Sequence, residues 1–319
     1  MATQEETTKF LQEFELSFNP ANIEKSPIPV SVLGYGEIST VVTFEESDFS
    51  NEAFKRLPLF STAEEVEDYC NLYLEYNQLL KDVGVETPVS HAYWVKGHEG
   101  RFVAYLSQER LLREAIGNKI IQQHSREESL ILLRLVLDKM RKLWQQNRDN
   151  NELILGLDSQ ISNWAIKNYD NRQNISENSK LLFIDTSTPF IRKNGVEQMN
   201  PLLFLQSAPP VMRPVLRKFF LQDIMDRYYD FRLVLIDLIA NLYKEQCADL
   251  IPDWLEIANH ENQEFLSGNT ITKKEIEKYY KEDKFIWQLF LGVRRANRFM
   301  NTKILGKRYE FTLPGQIER

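Results

Sequence analysis

Apolar and polar positions along the chain follow two different rhythms, and the change between them divides it. Residues 4–18 set Phe10, Leu11, Phe14 and Leu16 among acids, which predicts a short helix or extension ahead of the main body. From residue 28 the rhythm becomes that of strands. Residues 29–33, a glycine turn at 34–36 and residues 40–44 place β-branched side chains on both sides of the turn, predicting a hairpin. Residues 45–52 read as the next turn and residues 53–57 as a third strand. Residues 61–64 carry a capping-box signature, after which Val66, Tyr69, Leu72, Tyr73, Tyr76, Leu79 and Leu80 recur at helical spacing. Gly84 and Pro88 stop that helix. Strand-like runs at 90–95 and 102–106 complete a small, mostly antiparallel sheet with one helix.

Beyond residue 108 the pattern is helical, interrupted by two short apolar runs at 153–157 and 181–184. A polar Asn/Ser-rich loop at 168–180 separates them. Residues 130–144, 209–243 and 253–265 predict helices, another starts near residue 273, and residues 309–319 read as extended. The expected fold class is therefore α+β. Its parts are a helical extension over 1–27, an N-terminal lobe over 28–108 and a larger, mainly helical C-terminal lobe over 109–319. A length of 319 residues suits two such units of about 150 residues each. The longest apolar run, 233–242, is broken by Asp237 and is too short to span a bilayer.

Composition narrows the function classes. With 43% hydrophobic and 27% charged residues the chain is globular, not disordered. A net charge of −7 argues against a nucleic-acid partner. Cys70 and Cys247 lie far apart and the four histidines (His91, His98, His124, His260) are scattered, so a cysteine- or histidine-based metal site is not expected. Residues 1–9 lack the basic start and apolar core of a secretory signal, and a reduced, cytoplasmic location is the expectation. Arg294, Arg295, Arg298, Lys303, Lys307 and Arg308 form the most basic stretch. A folded-back tail pairing with the acidic body accounts for it as well as an anionic ligand does.

Several positions can carry chemistry. Glycines in the turn Gly34-Tyr35-Gly36 let backbone amides approach a phosphate, although hairpins use glycine regardless. Lys55 sits in an apolar strand and must find an anion or snorkel to water; Glu75 on the following helix can meet it, or serve as an ordinary surface acid. The loop from Asp158 to Asn163 offers a carboxylate and an amide oxygen on one tight turn, suited to orienting a hydroxyl and binding a hard cation. Asp and Asn are also common in plain turns. Asp185 ends the second apolar run, where it can supply a metal ligand or cap the next turn. The order of these parts is that of kinase-type phosphoryl transfer.

Over residues 30–190 the chain resembles the protein-kinase-like superfamily, and more the aminoglycoside and choline phosphotransferases than typical protein kinases. Gly34, Tyr35, Gly36 and Ser39 are similar to the phosphate-covering loop, with Ser39 where a third glycine is usual. Ala53-Phe54-Lys55 resembles the strand with the phosphate-binding lysine, and Glu75 through Leu80 the small-molecule kinase helix. Asp158 through Asn163 resembles the catalytic loop, and Ile184-Asp185 the metal-binding aspartate. Three departures stand out: Leu155-Gly156-Leu157 replaces the usual histidine segment, Ser159-Gln160 replaces the customary lysine or histidine-proline, and Thr186-Ser187 follows Asp185 instead of Phe-Gly.

The resemblance implies a two-lobed fold and an ATP- and Mg²⁺-dependent phosphotransferase acting on a hydroxyl of an unidentified small molecule. It implies ATP beneath Gly34–Ser39 with its base near residues 108–111, Lys55 on the phosphates and held by Glu75, Mg²⁺ on Asn163 and Asp185, and Asp158 orienting the hydroxyl. The acceptor is expected against the helical lobe, near Asp223, Asp226, Asp230 and Arg232. The alternatives are a pseudokinase that binds without transfer, favoured by the altered loops, and transfer of AMP from the same nucleotide.

Overall fold

The computed structural model describes residues 3–36, 38–44, 48–170, 174–207, 213–216 and 222–312. Its N-terminal sheet is antiparallel throughout, in the order β1 (Ser31–Tyr35), β2 (Thr40–Thr43), β3 (Glu52–Phe60), β5 (Phe102–Glu109), β4 (Ser90–Lys96). Period-two alternation gives this sheet two different faces. Phe54, Val103 and Tyr105 pack on one side with Val42 and Phe44, covered by Leu11 and Phe14 of α1 (Gln4–Ser17). Segment 1–27 thus contributes its helix to the core of the sheet. Leu57, Ala104 and Leu106 belong to the opposite face, packed with α2 (Ala63–Asp82). Lys55 alternates with Phe54 and Arg56 and so leaves the α1 face.

Helix α2 starts where the sequence predicts, with the roles divided between two residues. Thr62 Oγ1 accepts from Glu65 N at 3.2 Å, and the Glu65 carboxylate accepts from Ser61 N at 2.8 Å. Its buried stripe of Tyr69, Tyr73, Tyr76 and Leu80 follows the i, i+4, i+7 spacing of one helix face. Gly84 ends it at φ +82°, a left-handed conformation suited to glycine.

The helical part begins with α3 (Gly117–Gln123) and α4 (Arg126–Asp149), the latter opened by a Ser125–Glu128 capping box. Then β6 (Leu153–Leu155), β7 (Trp164–Ile166), β8 (Leu181–Phe183), β9 (Ile191–Lys193) and β10 (Val196–Glu197) form two small sheets. In these β7 pairs with β8, and β9 lies between β6 and β10. The sequence predicts only β6 and β8 of these five. All five are two or three residues long, too short for alternation to register; β6 and β8 are found because they lie in uninterrupted apolar runs.

The remaining helices are α5 (Arg213–Leu216), α6 (Gln222–Arg227), α7 (Phe231–Lys244), α8 (Ile251–Glu261), α9 (Gln263–Leu266) and α10 (Lys273–Phe299). The helical stretch expected over 209–243, with proline breaks at Pro209, Pro210 and Pro214, contains the separate helices α5, α6 and α7. Asp230 accepts from Leu233 N at 2.9 Å and caps α7, while residues 208–212 and 217–221 lie outside the described residues. Of the extended end at 309–319, residues 309–312 are described, and there the chain returns to the N-terminal sheet: Arg56 Nη1 donates to Glu310 O at 2.8 Å. The molecule has the α+β class expected from its sequence, a five-stranded antiparallel sheet in the N-terminal part followed by a mainly helical part. No described helix is long and apolar enough to cross a membrane.

Candidate active site

Lys55 leaves β3 on the side opposite Arg56 and meets the chain where it emerges from β8. Its Nζ lies 2.7 Å from Asp185 Oδ1 and 2.5 Å from Ser187 Oγ, and Ser187 Oγ donates to the same carboxylate oxygen at 2.9 Å. The pair bridges residues 130 apart in sequence and joins the N-terminal sheet to the segment after β8. Burial pushes the Asp185 carboxyl up, but the Lys55 ammonium and the Ser187 hydrogen bonds hold it below its ordinary value.

The loop after β6 is held against this pair from several sides. At Gly156 an added Cβ would come within 2.9 Å of both Phe190 Cβ and Tyr228 O, so only glycine lets three backbone segments meet there. The Gly156 carbonyl accepts from Tyr76 OH at 2.8 Å, which ties the loop to α2. Asn163 Nδ2 donates to Asp158 O at 3.0 Å, and Asn163 O accepts from Ile184 N at 2.8 Å, so Asn163 is tied by its side chain to Asp158 and by its backbone to the residue before Asp185. Trp164 Nε1 donates to Ser159 Oγ at 3.2 Å, closing the loop from beneath.

Asp158 is half-buried and accepts from Gln160 N at 3.4 Å. Its carboxyl is pushed well above the ordinary carboxylate range by burial, then by the negative charges of Asp237 and Asp185. Asp237, buried on α7, is pushed up to about 6 by burial and Asp283, against Arg227, Tyr279 and Gln160. Gln160 joins the two aspartates. Its Nε2 donates to Asp237 Oδ2 at 3.3 Å, and its Oε1 accepts from Asn241 Nδ2 and Lys244 Nζ, each at 3.1 Å.

The structure thus brings together Lys55, Asp158, Asn163 and Asp185. It does not bring Glu75 to Lys55. Glu75 lies on the exposed side of α2 and pairs with Lys193 Nζ at 2.6 Å, so the expected Lys55–Glu75 ion pair is not formed. The α2 face turned toward Gly156 and Ser187 carries the tyrosines, and Tyr69 OH donates to Ser187 O. Gly34, Tyr35, Gly36 and Ser39 lie on the β1–β2 hairpin. β2 is the neighbour of β3, with Val41 opposite Lys55. The Gly36 amide is already bonded to Ser39 O at 3.1 Å, and a Cβ at Gly34 would meet open space.

On the helical side, Asp226 pairs with Arg192, Asp230 caps α7 and Arg232 pairs with Glu275 at 2.6 Å, so these three perform structural tasks. The Asp223 side chain lies outside the described residues.

Sequence reasoning misses Ser187, Gln160, Asp237 and the tyrosine face. A detectable signal existed for two of them: tyrosines at 69, 73 and 76 within an apolar stripe, and a lone carboxylate, Asp237, inside the longest apolar run. Gln108, placed near the expected nucleotide linker, instead reaches Thr186 Oγ1 with its Nε2 at 3.1 Å.

Among the described residues no three His, Cys, Asp or Glu side chains gather as a metal cluster. The donors at hand are the Asp185 carboxylate and the Asn163 amide. Hard oxygen donors in that number fit Mg²⁺, which is commonly held by one or two carboxylates plus substrate phosphates.

Comparison with known proteins adds a family. A family model described as a family of unknown function (DUF6206) matches residues 21–298. The chain belongs to DUF6206. The DUF6206 match contains every candidate residue from Gly34 to Asp237. Curated proteins give no match. Among solved structures, the DUF6206 chain is similar to WaaP in complex with acyl carrier protein, at 12% identity and a TM-score of 0.34, over 74% of this chain and 90% of that one. It is also similar to APH(2")-IIia in a GDP and kanamycin complex, at 13% identity and a TM-score of 0.29, over 78% of this chain and 97% of that one.

Proposed function

We propose that this protein is a phosphotransferase that uses ATP with Mg²⁺ and passes the γ-phosphoryl group to a hydroxyl of a small molecule. The observation that carries this is the Lys55–Asp185 contact at 2.7 Å with Asp158 beside it. It supports reading Lys55 as a phosphate-binding cation, Asp185 as a metal-binding carboxylate and Asp158 as the carboxylate that accepts a hydroxyl proton.

Lys55 is poised to exchange Asp185 for phosphate oxygens, with Ser187 keeping its ammonium in the cleft. Asn163 and Asp185 would hold Mg²⁺, which neutralises phosphate charge when bound. Tyr76 and Trp164 hold the loop so that Asp158 faces the acceptor. Asp158 accepts a hydrogen bond from the acceptor hydroxyl, whose oxygen forms the new bond to phosphorus as the bond to the β,γ-bridging oxygen breaks; the proton passes to Asp158. Most of the rate gain in such a site comes from positioning and charge neutralisation. Two buried free thiols, Cys70 and Cys247, suit a reducing compartment such as the cytoplasm.

The test is consumption of ATP by the purified protein with Mg²⁺, compared with Asp185→Ala. Turnover by the wild type and none by the variant is expected. Nucleotide binding without turnover in the wild type identifies a binding module instead, and transfer of AMP shows in the product masses.

The elevated Asp158 carboxyl gives a pH prediction. Asp158 must be ionised to accept the proton, so activity falls as pH drops through its raised pKa. Asp237→Asn removes a neighbouring negative charge, favours ionised Asp158 and moves the acid limb of kcat/KM to lower pH. The amide keeps an acceptor oxygen for Gln160 and Tyr279. A limb that stays in place, or moves to higher pH, rejects the coupling.

A further inference from the structure

The basic stretch near the C-terminus is left unused by the site, and the structure shows what it is joined to. Between Lys284 and Arg308 the chain has seven Lys or Arg and no Asp or Glu, in a protein of net charge −7. The second half of α10 and the turn after it carry this run. On their surface Phe285, Leu289, Phe299, Met300, Ile304 and Leu305 are exposed, Phe285 at 63% and Phe299 and Ile304 at 59% each.

Phe285, Leu289, Ala296 and Met300 stand on one helical face, at i, i+4, i+11 and i+15, with Phe299 beside it. Arg295, exposed, flanks that face on the Phe299 side; Arg298, also exposed, lies further round the helix, and exposed Lys303 and Lys307 continue the charge past its end. The helix is anchored on the rest of its circumference: Leu291 and Val293 are buried on different sides of it, and Arg294 donates to Thr312 O at 3.4 Å. The tail therefore folds back through Arg294, Arg308 and Glu310 but leaves the apolar face and Arg295, Arg298, Lys303 and Lys307 at the surface.

We infer that this face docks on an anionic lipid surface, with Phe285, Leu289, Phe299, Met300 and Ile304 at the acyl boundary and the arginines and lysines among the headgroups. A helix of this kind lies in the interface plane and does not span. Charge complementarity selects the partner. Two copies packed through this face in an antiparallel pair would bring the Arg295 flanks together, where like charges repel. A nucleic acid answers the cations but gives the apolar stripe nothing to bury against. Anionic headgroups over acyl chains answer both, and long basic side chains extend their charge outward from an apolar stem to reach such headgroups.

The test uses the full-length protein and sedimentation with phosphatidylcholine vesicles, with and without a one-third share of phosphatidylglycerol. Binding to the anionic vesicles and not to the neutral ones, weakened by salt, is expected. Arg295→Glu/Arg298→Glu/Lys303→Glu should reduce that binding about tenfold or more, and Phe285→Ser/Phe299→Ser/Ile304→Ser should do the same. Arg295→Lys/Arg298→Lys should retain it, which separates charge from folding, as should unchanged circular dichroism of all variants. Equal affinity for neutral vesicles, no binding to either, or full binding by the glutamate variant overturns the inference. So does a wild-type dimer on size-exclusion chromatography that the serine variant converts to monomer.

Discussion

Replacing Asp158 by alanine should lower phosphotransfer by about a thousandfold, in the range general-base catalysis supplies, while leaving ATP binding within a few-fold of wild type. The separation follows from what the side chain touches. Asp158 Oδ1 accepts only a weak local bond, from Gln160 N at 3.4 Å, and the loop is held by its backbone carbonyl, by Tyr76 and by Trp164, none of which the substitution removes. Asp158 is also an electrostatic burden on the folded state. Its pKa is raised, so the stability it contributes is complete below the ordinary carboxylate range and is lost as pH rises through the raised value. Asp158→Ala should therefore melt no lower than wild type at neutral pH. Steady-state rates, ATP titration and a thermal melt check the three parts. An unchanged rate removes Asp158 from the chemistry, and a fall in ATP affinity as large as the fall in rate makes its role one of binding.

Arg56→Ala should destabilise the protein by about 3–5 kcal/mol, the usual effect of leaving a buried charge without its partner. Arg56 Nε and Nη2 bind the Glu15 carboxylate at 2.7 and 2.6 Å, and Nη2 also reaches Glu310 Oε2 at 3.1 Å. Tyr105 OH donates to Glu15 at 2.5 Å. Arg56 is 2% exposed and Glu15 0%, so neither has water to replace the lost contact. Burial pushes Glu15 up, but the Arg56 guanidinium and the Tyr105 hydroxyl hold it below its ordinary value of 4.5. Its contribution is therefore present above that pH and is lost as pH falls through the lowered value. Glu15→Leu/Arg56→Met should recover much of the loss, because an apolar pair carries no desolvation cost. Denaturant titrations of the three proteins decide it. A loss below 1 kcal/mol for the single variant would show that solvent reaches the pair.

The sequence makes the sheet legible because its strands are four residues or longer and alternate cleanly, and α2 because its cap, stripe and stop agree. Strands β7, β9 and β10 are invisible because two or three residues carry no period; β6 and β8, equally short, show only as apolar runs. In the site, Lys55, Asp158, Asn163 and Asp185 are found from residue type and order. The pairing among them is not, because it depends on which face of α2 turns inward. Glu75 lies two residues from Tyr73 and one from Tyr76, and a helix places those neighbours on different sides. Rotation about the helix axis therefore turned the tyrosines toward Gly156 and Ser187 and gave Glu75 to Lys193. Asp237 is missed because its partners, Gln160, Asp283 and Tyr279, come from distant segments.

A crystal structure with a non-hydrolysable ATP analogue and Mg²⁺ tests the central claim most directly. The triphosphate is expected beside the β1–β2 hairpin, with Lys55 moved from Asp185 onto its oxygens and the metal on Asp185 and Asn163. A nucleotide bound elsewhere, or a cleft in which Lys55 and Asp185 remain paired at saturating nucleotide, would contradict it.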